Sequence, residues 1–302
     1  MKNEYLGTIL AILTAIVSGF AIIANKAFVI DVDPMIFTSV RALFIGIAFF
    51  IISSIKCKFN YKKFKKVPWK YLIFIGLIGG AFAFLFFFTG LKFTTGGRAA
   101  FLHKTLPIYV IIFAFLFLKE KISKKHIFAL ILMFIGLLLI TSSQINPTIL
   151  WSNPSLGDLL VILATIFWGI ENTIAKHAMI NGESNFIVSF GRMFFGAIFL
   201  FGIILFFGNF DLFFYLTTQQ IISIVVSTLI LFDYVFLWYY SIKLINVSKA
   251  ASFLLLAPIV SLVLGVSILG EPAPTIQLFG SALILIGAYI VSKIKSEFIQ
   301  AV

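Results

Sequence analysis

Cysteine is almost absent. Cys57 is the single one in 302 residues, which excludes an intramolecular disulfide and any multi-cysteine metal site. Histidine is nearly as scarce: His103, His126 and His177 are scattered and form no zinc spacing. Charge is low as well. Only 11% of the residues are Asp, Glu, Lys or Arg, against about 25% in a soluble domain. With 61% hydrophobic residues, a water-soluble fold of this length could not hide its apolar surface, so the solvent must be lipid. There is no Cys/His pair, no His-Glu-x-x-His and no glycine-rich phosphate loop, so nothing points to an enzyme or a cofactor.

What charge there is, is mostly positive: 23 Lys and Arg against 11 Asp and Glu, a net +12. Its placement argues against a nucleic-acid partner. Seven lysines lie in "KCKFNYKKFKKVPWK" (56–70) and four in "KEKISKKH" (119–126). Both stretches sit between long apolar runs, as the cytoplasmic loops of membrane proteins do.

A spanning helix needs about 20 mostly apolar residues. Ten such stretches occur, at 6–25, 35–55, 71–90, 97–118, 126–143, 157–176, 186–207, 220–241, 249–269 and 276–294. The fold class is therefore an all-α polytopic membrane protein. Only Met1 to Tyr5 precede the first run, and no small-residue cleavage site follows it, so it reads as a retained span. Ten spans bring both termini to one face. That face carries Lys2, the lysines of both basic loops, Lys176, Lys243, Lys249, Lys293 and Lys295. The other carries Lys26, Lys92 and Arg98. Both termini are expected in the cytoplasm.

The chain also repeats itself. A shift of 150 superimposes Gly7, Gly19 and Lys26 on Gly157, Gly169 and Lys176. A shift of 151 superimposes Arg41 on Arg192, Lys92 on Lys243, Pro107 on Pro258 and Glu120 on Glu271. The expected halves are 1–150 and 151–302, with five spans each. Five is odd, so the second half should enter the membrane from the other face. Inverted repeats of this kind are common in secondary transporters, with the substrate site near the midplane between them.

Two five-helix repeats, "LKEKIS" and "FALILMFIGLLLI" closing the first, and "LGEPAPTIQLFGSALILIGAYIV" closing the second, resemble the EamA branch of the drug/metabolite transporter superfamily. So do the Ala-Ala pairs (99–100, 250–251) ahead of Pro107 and Pro258, and Trp168 followed by Lys176. The resemblance covers essentially the whole chain. It implies a ten-helix transporter with a central cavity, working by alternating access without ATP. Members of the family move amino acids, other small metabolites and drugs, mostly outward. His103, Lys104 and Glu171 are not part of the pattern shared across the family.

The repeat sorts the polar residues. Arg41 and Arg192 recur in both halves, as do Pro107 and Pro258. The arginines fit either a structural role, holding carbonyls or reaching a headgroup, or a gate on each face. The prolines fit packing, or a kink beside a cavity. Other residues break the symmetry: His103 and Lys104 match Leu254 and Leu255, Tyr109 matches Val260, Glu171 and Asn172 match Ala21 and Ile22, and Asp233 and Tyr234 match Phe82 and Ala83. The fold does not require these polar groups, and a charge within a span nearly always faces a cavity or a partner. Trp168, Glu171 and Asn172 share one helical face at i, i+3 and i+4.

The expected substrate is a small polar or zwitterionic metabolite, an amino acid or related compound, exported across the lipid bilayer. Lys104 would meet its carboxylate. Glu171 would meet an ammonium group or carry a proton, with Asp233 as a second acid. His103 could share proton work, since imidazole titrates near pH 6.5, roughly. Tyr109, Trp168, Asn172 and Tyr234 would shape the pocket. A Lys104–Glu171 ion pair that merely ties two helices is the plainer reading of the same residues. Trp238 to Tyr240 reach the cytoplasmic end of their span, where an aromatic belt is the ordinary explanation. Hydrophobic drug export and lipid handling stand as alternatives, and the oligomeric state is left open.

Overall fold

The computed structural model describes residues 2–28, 32–56, 67–142, 153–207 and 210–296. Cys57 and most of the 56–70 lysine cluster lie outside the described residues, as does the side chain of Lys26. Ten helices are long and apolar enough to cross a membrane: α1 (Lys2–Phe28), α2 (Pro34–Lys56), α3 (Trp69–Leu91), α4 (Gly96–Leu118), α5 (Lys124–Thr141), α6 (Leu156–Ile180), α7 (Asn185–Phe206), α8 (Thr218–Leu244), α9 (Val247–Leu269) and α10 (Thr275–Ser292). Each lies within four residues of its expected span, and no strand occurs among the described residues. In lipid a helix satisfies its own backbone, so a long apolar run has little other choice. Hydroxyl caps fix several starts. Thr95, Ser123, Ser155, Ser184 and Thr217 each accept a backbone N–H of the first turn of α4, α5, α6, α7 and α8.

Two helices are broken. In α4 the first piece, Gly96–His103, ends at Lys104 and Thr105, and a second runs Leu106–Leu118. In α9 a 3-10 turn, Leu254–Leu256, separates Val247–Phe253 from Ala257–Leu269. Pro107 and Pro258 stand in the first turn of the second pieces. They do not kink a continuous helix. They begin a new one, where the missing N–H costs nothing. The break in α4 satisfies itself locally: Leu102 O accepts the Thr105 hydroxyl at 2.6 Å and the Thr105 N–H at 3.1 Å.

Lys119 and Gly270 end the two broken helices in the left-handed region, with φ of 54° and 67°. The following Glu120 and Glu271 return their N–H groups to Ala114 O and Gly265 O, each at 3.1 Å. Helices of the two sequence halves interleave. The first-half helix α1 packs on α8 and α9, α2 packs on α7, and α3 packs on α6. At the centre α3 and α7 carry π-helical segments, Gly76–Phe82 and Gly191–Phe195. They meet at Gly80 and Gly196, where an added Cβ would come within 2.3 Å of Arg192 O or 2.6 Å of Gly80 Cα. That close approach sets where Arg192 and the backbone of Gly79 lie.

Candidate functional site

The site is built outward from α6. Trp168, Glu171 and Asn172 share the buried face that their spacing predicts, at 6%, 0% and 3% exposure. Each is tied down by a neighbouring helix or its own backbone. The Trp168 indole N–H donates to Gly79 O on α3 at 3.0 Å. The Asn172 amide donates back to Trp168 O at 2.8 Å, and its oxygen accepts the Trp238 indole N–H at 2.7 Å. The Tyr239 hydroxyl donates to Glu171 Oε1. Arg192 Nε lies 3.7 Å from Glu171 Oε2, and Arg192 Nη1 donates to the Tyr239 oxygen at 3.5 Å.

Above this cluster is a cavity of about 230 Å³. One wall is a group of rings. His103 and Trp168 are 4.9 Å apart between centroids, Phe87 lies 5.5 Å from His103 and 5.6 Å from Trp168, and Phe84 lies 5.3 Å from Trp168. Asn172, Arg192 and Trp238 form the floor. Ser18 and Ala21 on α1, Arg41 on α2, and Ser227 and Tyr234 on α8 also line it. Among the described residues no Asp or Glu lines it. Phe88 is three residues from the end of α3, and Ala21 is three from the end of the apolar stretch Asn3–Ala24. The cavity therefore reaches within a turn of the face opposite the termini. At the floor, Trp238 is six residues from Leu244, about 9 Å of helix.

The terminus face is closed by polar bonds between helices. Glu120 accepts the N–H groups of Val247 (2.9 Å) and Ser248 (3.1 Å) and the Ser248 hydroxyl, so it caps the start of α9. Lys176 Nζ donates to Ile242 O and Ile245 O at 2.7 and 2.9 Å, capping the end of α8. Lys249 Nζ reaches Glu4 at 3.1 Å and Ile294 O at 2.5 Å. At the opposite face Arg98 pairs with Asp158, which also accepts the Thr94 hydroxyl at 2.5 Å. Lys176 is thus buried rather than anchored at an interface.

Of the residues singled out from sequence, His103, Trp168, Asn172 and Tyr234 line the cavity. So do Arg41 and Arg192, whose recurrence in both halves had suggested structure or gating. Glu171 lies directly behind the floor, bonded through Tyr239 and Arg192. Its basic partner is Arg192 and not Lys104, because α7 crosses beside α6 at that depth. Lys104 ends the first piece of α4, half-buried, and lies outside the lining. Tyr109 packs against the backbone of α6, where an added Cβ on Gly169 would meet its Cβ at 2.8 Å. Asp233 is exposed on the outer face of α8, in line with Val225 and Leu229, and cannot act as a second acid in the cavity. Pro107 and Pro258 stand at the helix breaks and not in the lining. Trp238 and Tyr239 are 1% and 0% exposed, so they are no interfacial belt. The adjacent pairs Glu171-Asn172 and Tyr239-Trp238 were the sequence signal for this, two neighbours each with a polar tip.

Gly79 gives the cluster a sensitive point. A Cβ there would lie 2.2 Å from Glu171 Cγ, so Gly79→Ala must push Glu171 from Arg192 and Tyr239. The expected cost is about 1–3 kcal/mol, read as a fall in melting temperature in detergent. An unchanged melting temperature would show that α3 is not pressed against Glu171.

A family model described as the EamA-like transporter family matches residues 5–142 and again 155–293. An uncharacterized transporter of Archaeoglobus fulgidus is 27% identical over 302 residues, covering 93% of this chain and 96% of its own. The uncharacterized transporter YoaV of Bacillus subtilis is 26% identical, covering 90% and 91%. A solved crystal structure superimposes with a TM-score of 0.78 over 95% of this chain and 98% of its own, at 15% identity, a likeness of fold. These matches name transporters, not enzymes.

Proposed function

The chain belongs to the EamA-like transporter family, and from that premise we propose that it is a secondary transporter that exports a small polar metabolite, an amino acid or a carboxylic acid related to one. The observation that carries this reading is the cavity. It is enclosed by helices of both halves and lined by His103, Asn172, Arg192 and Tyr234, polar groups that packing alone does not call for. Its volume of about 230 Å³ falls below the ~300–1,000 Å³ usual for drug-sized ligands. A cationic drug would also face Arg41 and Arg192, with no acid to meet it among the described residues of the lining.

The lysine bias supports a cytoplasmic terminus face, and on that reading the cavity opens outward. On the inverted-repeat reading, the inward-open state exchanges the roles of the halves. Glu120 releases the start of α9, and Glu271, its match 151 residues on, takes the start of α4 at Gly96 and Gly97. Glu171 is the group best placed to carry a coupling proton, since its protonation would release Arg192 at the floor of the cavity.

Counterflow in proteoliposomes loaded with amino acids and related carboxylic acids tests the reading. Saturable uptake of at least one of them is expected. Asn172→Leu should lower it at least tenfold, while Asp233→Asn on the outer face should leave it within about twofold. No saturable uptake across the panel would overturn the proposal.

A further inference from the structure

We propose that the cavity selects an organic anion: a carboxylate on a compact, ring-sized apolar body that carries no ammonium group. This rests on the transport reading and names its substrate class.

Arg41 is the central observation. It is 8% exposed, seven residues into α2, and lines the cavity. Its Nε donates to Phe37 O at 3.1 Å, and its guanidinium lies over the Phe37 ring, 3.7 Å from the centroid. These contacts hold the plane of the group. They leave both terminal amines without an acceptor among the described residues. A guanidinium inside a span without a counter-ion is costly, and its planar fork suits a carboxylate bidentately. An arriving carboxylate supplies the missing charge.

Arg192 differs although it is the matching residue. Its charge is already answered by Glu171 at 3.7 Å. The cavity therefore keeps the positive charge of Arg41. A zwitterion would bring an ammonium group into this field and find no carboxylate on the lining among the described residues. Glu171 is held behind Arg192 and Tyr239, and Asp233 faces away. The Asn172 oxygen is taken by Trp238. For the rest of the substrate, Phe84, Phe87, His103 and Trp168 offer ring faces and edges that favour a planar apolar body.

Three compounds with one aromatic body separate the charge classes: 3-phenylpropionate, phenylalanine and 2-phenylethylamine. With the protein in nanodiscs at pH 7, calorimetry should show 3-phenylpropionate binding at least tenfold tighter than phenylalanine. 2-Phenylethylamine should show no saturable binding. Arg41→Gln should erase the preference and Arg41→Lys should keep part of it, with melting temperatures reporting that both variants fold. Phenylalanine binding as tightly as the acid, binding of the amine, binding of none of the three, or an unchanged preference in Arg41→Gln would each overturn the proposal. Amino-acid counterflow that is saturable and indifferent to Arg41→Gln would overturn it while leaving the transport reading in place. Absence of counterflow across the whole panel would remove both.

Discussion

Glu171→Gln is expected to destabilise the protein by about 3–5 kcal/mol, the usual effect of leaving one member of a buried ion pair alone. Glu171 is fully buried and Arg192 is 8% exposed. Glutamine keeps the shape and can still accept from Tyr239, so the loss isolates the charge facing Arg192. The companion change Arg192→Met should cost a similar amount, because it strands the carboxylate. The double variant should lose clearly less than the sum of the two, since neither charge is then left unpaired. Melting temperatures of the four proteins in one detergent make the cycle. Additive losses would mean that the 3.7 Å approach contributes no coupling. Counterflow should fall in all three variants if Glu171 carries the proton, and should lose its pH dependence wherever activity survives. The groups facing Glu171 are Arg192 from α7 and Tyr234 and Tyr239 from α8, with the Gly79 backbone of α3 against its stem.

Glu120→Gln should open the terminus face. The carboxylate of Glu120 accepts two backbone N–H groups and one hydroxyl at the start of α9. Such charge-assisted bonds contribute about 1.5–3 kcal/mol each, and a carboxylate at a helix N-terminus gains from the helix dipole. Glutamine has one accepting oxygen and no charge, so at least one bond and the dipole interaction are lost. A loss of about 3 kcal/mol corresponds to roughly a hundredfold change in population. Ala175, fully buried and next to Lys176, can report it. In a Cys57→Ser background, Ala175→Cys should react with a water-soluble maleimide at least tenfold faster once Glu120 is replaced. Equal labelling rates would show that the face stays shut without this cap.

Much of the fold was legible in the sequence. The ten spans follow from apolar runs that have one way to satisfy their backbone in lipid, and all ten agree to within four residues. The buried face of α6 was legible from the spacing of Trp168, Glu171 and Asn172. The chain breaks beside Pro107 and Pro258 were legible as irregular points, though as kinks rather than helix starts. Partnerships were not legible. Glu171 was matched to Lys104 because both are intramembrane charges on helices expected to meet, and its real neighbour is Arg192. Symmetry was a poor guide to the arginines: Arg41 and Arg192 recur for structural equivalence, yet one has an acid beside it and the other faces the cavity with no acid beside it among the described residues. Asp233 stands mid-span, but the rotation of α8 turns it outward.

Sequence by itself determined the number of helices, their ends and the depth of each side chain, because those depend on hydropathy and on 1.5 Å of rise per residue. Tertiary structure alone decided which polar groups face one another. A helix can rotate about its axis without any change in depth, and here rotation is set by close backbone contacts such as Gly80 on Gly196 and Gly79 on Glu171. Those contacts turn Arg192 onto Glu171, while Arg41 has no counter-ion among the described residues, and together these decide the charge of the cavity.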